Sequence, residues 1–223
     1  IQNALDVLVG DYQNHARLND LGKFLVHKGL SKRLDTRLSM EMMSKNIRPF
    51  YQDGPIFITG LPRSGTSFLF DLLHAHSYLR SPFTWEIFQA NSVAKNKIQI
   101  LVKKIRTQIE LVSINRLVPQ LANIHPMHQS YPEECQLITA YDLKSISFAY
   151  SANLPNYLKF ISDSSFKSSF RVHQIFLNAL SAKEDEMMWL LKDPCHIEHI
   201  EEIRNSYPKA RFIFIHRNPK FCM

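Results

Sequence analysis

The chain has 223 residues, which is enough for one domain, or one domain with an appendage, and enough to bury a core. Hydrophobic residues make up 45% and charged residues 21%, so a disordered, collagenous or low-complexity chain is excluded. Lys and Arg number 27 against 20 Asp and Glu, and the formal charge of +7 favours an anionic partner without identifying it. The basic residues form no long run, so no nucleic-acid partner is predicted.

The first 50 residues are predicted to form a helical flank. Apolar side chains recur there largely every four residues, which predicts one or two amphipathic helices packed on the main domain through this stripe. If there are two helices, Gly29 separates them. The stripe consists of Leu21, Leu25, Leu30, Leu34, Leu38 and Met42.

Residues 51–223 are predicted to form a single α/β domain. A turn at Asp53 precedes the first of three short apolar runs, which predict strands over residues 56–59, 188–191 and 211–215. The last two strands are predicted to be parallel, because the spacing between them fits a crossover helix. Helical patterns cover residues 94–118, 133–143, 165–180 and 196–207.

A glycine-framed loop follows the first predicted strand and precedes a helix. Gly60 and Gly65 frame it, and in this context backbone N–H groups and the helix dipole can bind a phosphate. Arg63 adds a permanent charge, while Ser64, Thr66 and Ser67 add hydroxyl donors. Nucleotide triphosphatases carry Lys where this chain has Thr66, so metal-assisted phosphoryl transfer is disfavoured.

Two segments resemble the sulfotransferases that use 3′-phosphoadenosine 5′-phosphosulfate (PAPS). Residues 62–67 (Pro-Arg-Ser-Gly-Thr-Ser) look like the 5′-phosphosulfate loop, with Arg63 where many cytosolic members have Lys. Residues 192–194 (Lys-Asp-Pro), a crossover helix and residues 216–219 (His-Arg-Asn-Pro) are similar to the segment that leads to the family's 3′-phosphate-binding arginine. The resemblance is to the bacterial-type and protein-tyrosine-sulfotransferase-like branch.

The resemblance implies a three-layer P-loop-like fold, with a central parallel sheet flanked by helices and helix-rich insertions. It also implies transfer of a sulfuryl group from PAPS to a hydroxyl acceptor (a small molecule, a carbohydrate or a tyrosine), leaving adenosine 3′,5′-bisphosphate and requiring no metal. In the family, a serine after the arginine also holds the 3′-phosphate, and it would lie beyond Met223, so the domain is expected to be incomplete at its C-terminus. The implied cofactor-binding residues are Arg63, Ser64, Gly65, Thr66, Ser67 and Arg217.

Three residues are predicted to be catalytic. Glu86 is the predicted base, because it follows the loop's helix by a turn and matches the family's catalytic glutamate approximately. Its alternative is a structural carboxylate beside Trp85. Lys192, at a strand end, and Arg63 would stabilise charge on the leaving phosphate oxygen. Lys192 could instead pair with Asp193.

The histidines lack the carboxylate or cysteine pattern of a zinc site, so no metal site is predicted. His196 is the one that could reach substrate, since it follows residues 192–194. His125 and His128, with Glu133 and Glu134, either line an acceptor pocket or form a loop before a helix with an acidic N-terminus.

Two other functions stay open. A P-loop kinase or nucleotide hydrolase would prefer ATP with magnesium, and a noncatalytic anion-binding module would account for the +7 charge alone. Three cysteines are too few for a disulfide framework, and no apolar run approaches the ~18 residues of a transmembrane helix. A cytoplasmic location is slightly favoured on this basis, a lost N-terminal anchor would fit the Golgi lumen, and the oligomeric state is not predicted.

Overall fold

The structure is a computed structural model that describes residues 1–44, 54–120, 125–181 and 187–222. In this part of the chain four strands form one parallel sheet: β1 (Ile56–Gly60), β2 (Leu79–Arg80), β3 (Met188–Lys192) and β4 (Arg211–Ile215). Their order is β2–β3–β1–β4. The three predicted strands are therefore confirmed, and β2 was missed because two residues are too short to show a strand pattern.

Helices fill the rest of the fold. No helix among the described residues is long and apolar enough to cross a membrane. Short 3₁₀ turns follow α6 and β3, so the helices predicted over residues 133–143 and 196–207 are each broken into shorter pieces. The helices are α1 (Gln2–Asn14), α2 (Asp20–Ser44), α3 (Thr66–His74), α4 (Thr84–Phe88), α5 (Lys97–Leu117), α6 (Gln136–Thr139), α7 (Pro155–Ser162), α8 (Lys167–Ser181) and α9 (Ile200–Ser206).

Both faces of the sheet are covered by helices, as the alternation of side chains along a strand requires. Ile58 and Leu190 point to one face, where they pack with Phe70 of α3. Phe57 and Leu191 belong to the larger core on the other face, to which α8 also contributes. The result is the three-layer arrangement that the family resemblance implied.

The N-terminal helices share this larger core. Asp11 of α1 accepts hydrogen bonds from the Asn156 side chain and from the Tyr157 backbone N–H of α7, both at 2.8 Å. Arg37 of α2 donates to the buried carboxylate of Asp142 at 2.5 Å. The predicted boundary at residue 50 and the turn at Asp53 lie outside the described residues, so the division into flank and domain stays a prediction.

The predicted stripe of α2 is wrong in part. Leu30 is buried, but Leu21, Leu25, Leu38 and Met42 are exposed. A constant spacing of four residues advances by about 40° per step on a helix with 3.6 residues per turn, so such a stripe winds away from any single face. The helix also continues through Gly29 without a break.

Candidate active site

The ends of three strands meet at one edge of the sheet. Ile58 of β1 is in register with Lys192 of β3, and Gly60 is in register with Ile215, the last residue of β4. Because these strands are parallel, the segments that follow them emerge on the same side of the molecule. This is the edge at which open α/β sheets bind ligands.

The loop between β1 and α3 depends on its two framing glycines. A Cβ atom on Gly60 would lie 2.5 Å from the carbonyl oxygen of Ile215, so only glycine allows β1 and β4 to approach this closely. Gly65 has φ +106°, a conformation that side chains disfavour. Arg63 also has a positive φ of 62°, which is uncommon outside glycine and occurs often at ligand-binding loops.

The loop has the features of an anion-binding site. It leads directly into the N-terminus of α3, where the first backbone N–H groups have no partner within the helix. The Ser64 hydroxyl is buried and has no hydrogen-bond partner in the described part of the chain. A buried hydroxyl without a partner is costly, so a ligand oxygen at this position would satisfy it. Thr66 is also buried, whereas Arg63 and Ser67 are exposed at the mouth of the loop.

Lys192 reaches this loop from the neighbouring strand. Its side chain is buried, and its ammonium donates to the Ser67 hydroxyl at 3.2 Å and to the carboxylate of Glu134. The Lys192 ammonium also lies 5.6 Å from the centre of the Phe70 ring. The alternative of a pair with Asp193 is not observed, since Lys192 pairs with Glu134 and its ammonium stays beside the loop.

Glu134 is held at this position by backbone contacts on both sides. The N–H of Cys135 donates to the carbonyl of Lys192 at 3.0 Å, and the N–H of Glu133 donates to the carbonyl of Pro82 at 2.9 Å. The segment that carries both glutamates therefore lies across the strand ends. From the sequence, Glu134 was expected only at an acceptor pocket or an acidic helix end, and its contact with Lys192 was not predicted.

Two titratable groups near Lys192 and Glu134 have shifted pKa values. Burial, followed by the charge of Glu134, raises the pKa of Asp193 above its ordinary value. The hydrogen bond between His125 and Glu133, 2.9 Å long, raises the pKa of that histidine. Both shifts favour the protonated form of the group, Asp193 because of burial and the charge of Glu134, and His125 because of its bond to Glu133.

Glu86 makes a different set of contacts. Its carboxylate accepts from the Arg80 guanidinium at 2.6 Å and from the backbone N–H of Phe83 at 2.9 Å, which caps α4. Arg80 in turn lies over the ring of Trp189, 4.3 Å from its centre. Glu86 also lines a cavity of about 280 Å³ together with Lys103. These contacts give Glu86 a structural task, and its catalytic role stays a prediction.

Arg217 follows β4 and lies beside the loop. One guanidinium nitrogen donates to the carbonyl of Arg63 at 3.4 Å, and both arginine side chains are exposed. The structure therefore brings Arg63, Ser67, Lys192 and Arg217 to one edge of the sheet.

His196 does not line this mouth. It is buried, with its ring 5.0 Å from that of Phe57 and 6.1 Å from that of Phe170, and burial lowers its pKa well below the ordinary value. It belongs to an aromatic cluster beneath the sheet. Among the described residues no group of three or more His, Cys, Asp or Glu side chains could hold a metal ion.

These features define an α/β protein of the P-loop type. The first strand of a parallel sheet leads through a glycine-framed loop into a helix, and cationic side chains lie at the ends of the adjoining strands. The sequence profile described as the sulfotransferase family matches residues 55–223, which is most of the chain. The chain therefore belongs to the sulfotransferase family, as the two motifs predicted.

Solved structures of two mycobacterial sulfotransferases share the fold. STF1 from Mycobacterium tuberculosis H37Rv is 23% identical and superposes with a TM-score of 0.76 over 97% of this chain and 60% of its own. STF9 from Mycobacterium avium is 21% identical, with a TM-score of 0.79 over 97% of this chain and 57% of its own. The chain thus spans less than two thirds of either protein. Comparison with curated proteins gave no significant match.

Proposed function

We propose that this protein transfers a sulfuryl group from PAPS to a hydroxyl-bearing acceptor. The observation that carries the proposal is the position of Lys192, a buried cation in contact with Ser67 at the start of the helix that follows the loop. Membership of the sulfotransferase family supports the same reaction. The acceptor belongs to the class of small molecules, carbohydrates or tyrosines that present a hydroxyl group.

The loop residues fit the anionic end of this cofactor. Ser64 supplies a buried hydroxyl that has no partner among the described residues, and α3 supplies backbone N–H groups and the positive end of its dipole. Arg63, Gly65, Thr66 and Ser67 complete the proposed 5′-phosphosulfate site. Arg217 would hold the 3′-phosphate, the group that distinguishes PAPS from ATP.

PAPS, when bound, supplies the sulfuryl group: the acceptor oxygen bonds to sulfur, the bond from sulfur to the bridging phosphate oxygen breaks, and that oxygen keeps the electron pair. Lys192 stabilises the negative charge that develops there, with Arg63 assisting from the loop. A preorganised cation in a buried site is effective because little water screens it.

A carboxylate must also take the proton of the acceptor hydroxyl, and Glu134 is the carboxylate in contact with Lys192. In the structure the Lys192 ammonium is hydrogen-bonded to this carboxylate. The ammonium also reaches Ser67, so a shift of Lys192 toward the leaving oxygen frees Glu134 to accept the proton. We therefore propose Glu134 as the base. Glu86, the base predicted from the sequence, is the alternative, and the same experiment compares the two residues.

The role of Arg217 can be tested by replacing it with Ala. We expect adenosine 3′,5′-bisphosphate to bind about 10- to 100-fold more weakly, because a charged hydrogen bond is worth about 1.5–3 kcal/mol. Binding of adenosine 5′-monophosphate, which lacks the 3′-phosphate, should change little. Arg204→Ala on the exposed side of α9 is the matched control. Equal weakening of both nucleotides would remove the 3′-phosphate assignment and leave the loop assignment in place.

A further inference from the structure

Helix α5 presents an apolar face to the solvent. Amphipathic helices of globular proteins normally turn such a face toward the core, and here the opposite occurs. The exposed fractions of these residues run from 39% at Val112 to 74% at Ile98. We call this surface the outer face of α5, and it consists of Ile98, Leu101, Val102, Ile105, Ile109 and Val112.

Polar contacts on the other side of the helix fix this orientation. Lys103 is buried, and its ammonium donates to the carbonyl of Gln89 at 2.6 Å and to the carbonyl of Ser92. Glu110 accepts from Lys32 of α2 and from the Gln89 side chain, at 2.7 and 3.0 Å. Rotating α5 to bury its outer face would break these contacts and leave the charge of Lys103 without partners. These contacts therefore keep the outer face exposed.

The borders of the outer face are cationic. At 100° per residue, Lys97 and Lys104 lie along one border and Arg106 lies along the other. Arg116, in the last turn, has the same angle as Ile98 and so lies at the C-terminal end of the face. Glu110 is the only acidic residue of the helix, and it is paired with Lys32 on the inner side. The face thus combines exposed aliphatic side chains with a rim of positive charge.

We propose that the outer face of α5 docks on a membrane surface rich in anionic phospholipids. A helix of this composition lies in the plane of the interface, with aliphatic side chains among the acyl chains and Lys and Arg against the phosphates. From Ile98 to Val112 this gives a contact about 21 Å long at a rise of 1.5 Å per residue. A second copy is a poorer occupant, since pairing two such faces would bring cationic rims together.

The test is co-sedimentation of the 223-residue chain with vesicles of phosphatidylcholine alone, or of phosphatidylcholine and phosphatidylserine in equal parts. We expect sedimentation with the anionic vesicles and little with the neutral ones. The double variant Ile105→Asp, Ile109→Asp should reduce binding about tenfold or more, as charges on the inserted face are expensive. The double variant Leu38→Asp, Met42→Asp, at two similarly exposed apolar positions of α2, is the matched control and should bind like the wild type.

A second variant, Lys97→Gln with Arg106→Gln, keeps the aliphatic face and should reduce binding to the anionic vesicles alone. Circular dichroism melts establish that each variant is folded. The proposal is overturned if the Asp variant binds as well as the wild type, or if neutral and anionic vesicles bind equally. A dimer that dissociates in the Asp variant, without vesicle binding by the wild type, would overturn it in favour of a second copy.

Discussion

Replacing Glu134 with Gln is expected to slow sulfuryl transfer by about 10²- to 10⁴-fold, the range that a general base contributes. Gln keeps the shape of the side chain and can still accept from Lys192, but it cannot take the acceptor proton. The loss should appear in kcat, with the affinity for adenosine 3′,5′-bisphosphate retained. The rate is measured with PAPS and the best acceptor from a panel of phenols, carbohydrates and tyrosine peptides.

Two variants serve as controls for this result. Glu134→Asp keeps a carboxylate and should be less impaired than Glu134→Gln. Glu86→Gln weakens the partner of the buried Arg80, so its main effect should be lower stability, by up to about 3–5 kcal/mol, and its rate per folded molecule should change less. An inactive Glu86→Gln protein with an unchanged melt, beside an active Glu134→Gln protein, would return the base to Glu86.

Replacing Lys192 with Met should lower kcat by about 10²- to 10³-fold, comparable to the loss of one preorganised donor to a developing oxyanion. The variant also leaves the carboxylate of Glu134 without its buried partner, so the free energy of unfolding should fall as well. Binding of adenosine 3′,5′-bisphosphate separates the two effects, because a protein that still binds the nucleotide is folded.

Lys192→Arg keeps the charge and should retain more activity than Lys192→Met. Lys97→Met, on the exposed surface of α5, is the matched control for loss of a lysine and should leave kcat unchanged. Full catalytic rate in Lys192→Met would remove this residue from the mechanism and the main support for the proposed function.

The sequence predicted the parts of the site that depend on local pattern. The first strand, the glycine loop and the following helix are adjacent in the chain, and their residue types indicate their conformations. Lys192 and Arg217 were placed correctly at the ends of β3 and β4 for the same reason. Sequence patterns of this kind predict which residues follow the end of a strand, and parallel pairing then brings those residues to the same edge of the sheet.

The contact between Lys192 and Glu134 could not be predicted in this way, because it joins residues far apart in the sequence through a segment laid across the strand ends. The only signal in the sequence was a pair of adjacent carboxylates just before a short helix, a pattern that also fits an acceptor pocket or a helix end. The orientation of α5 was missed as well, since periodicity gives an apolar face but not the side of the molecule that it covers. Polar anchors such as Lys103 decide that orientation through tertiary contacts.

The central claim is that the loop and Arg217 together form a site for a 3′-phosphorylated adenosine nucleotide. Calorimetric titration of the chain with adenosine 3′,5′-bisphosphate, and separately with ATP and magnesium, tests it most directly. We predict that the bisphosphate binds at least about tenfold more tightly than ATP, a difference of about 1.4 kcal/mol. No measurable binding of the bisphosphate, or tighter binding of ATP with magnesium, would contradict the claim, and the second result would favour a kinase or nucleotide hydrolase.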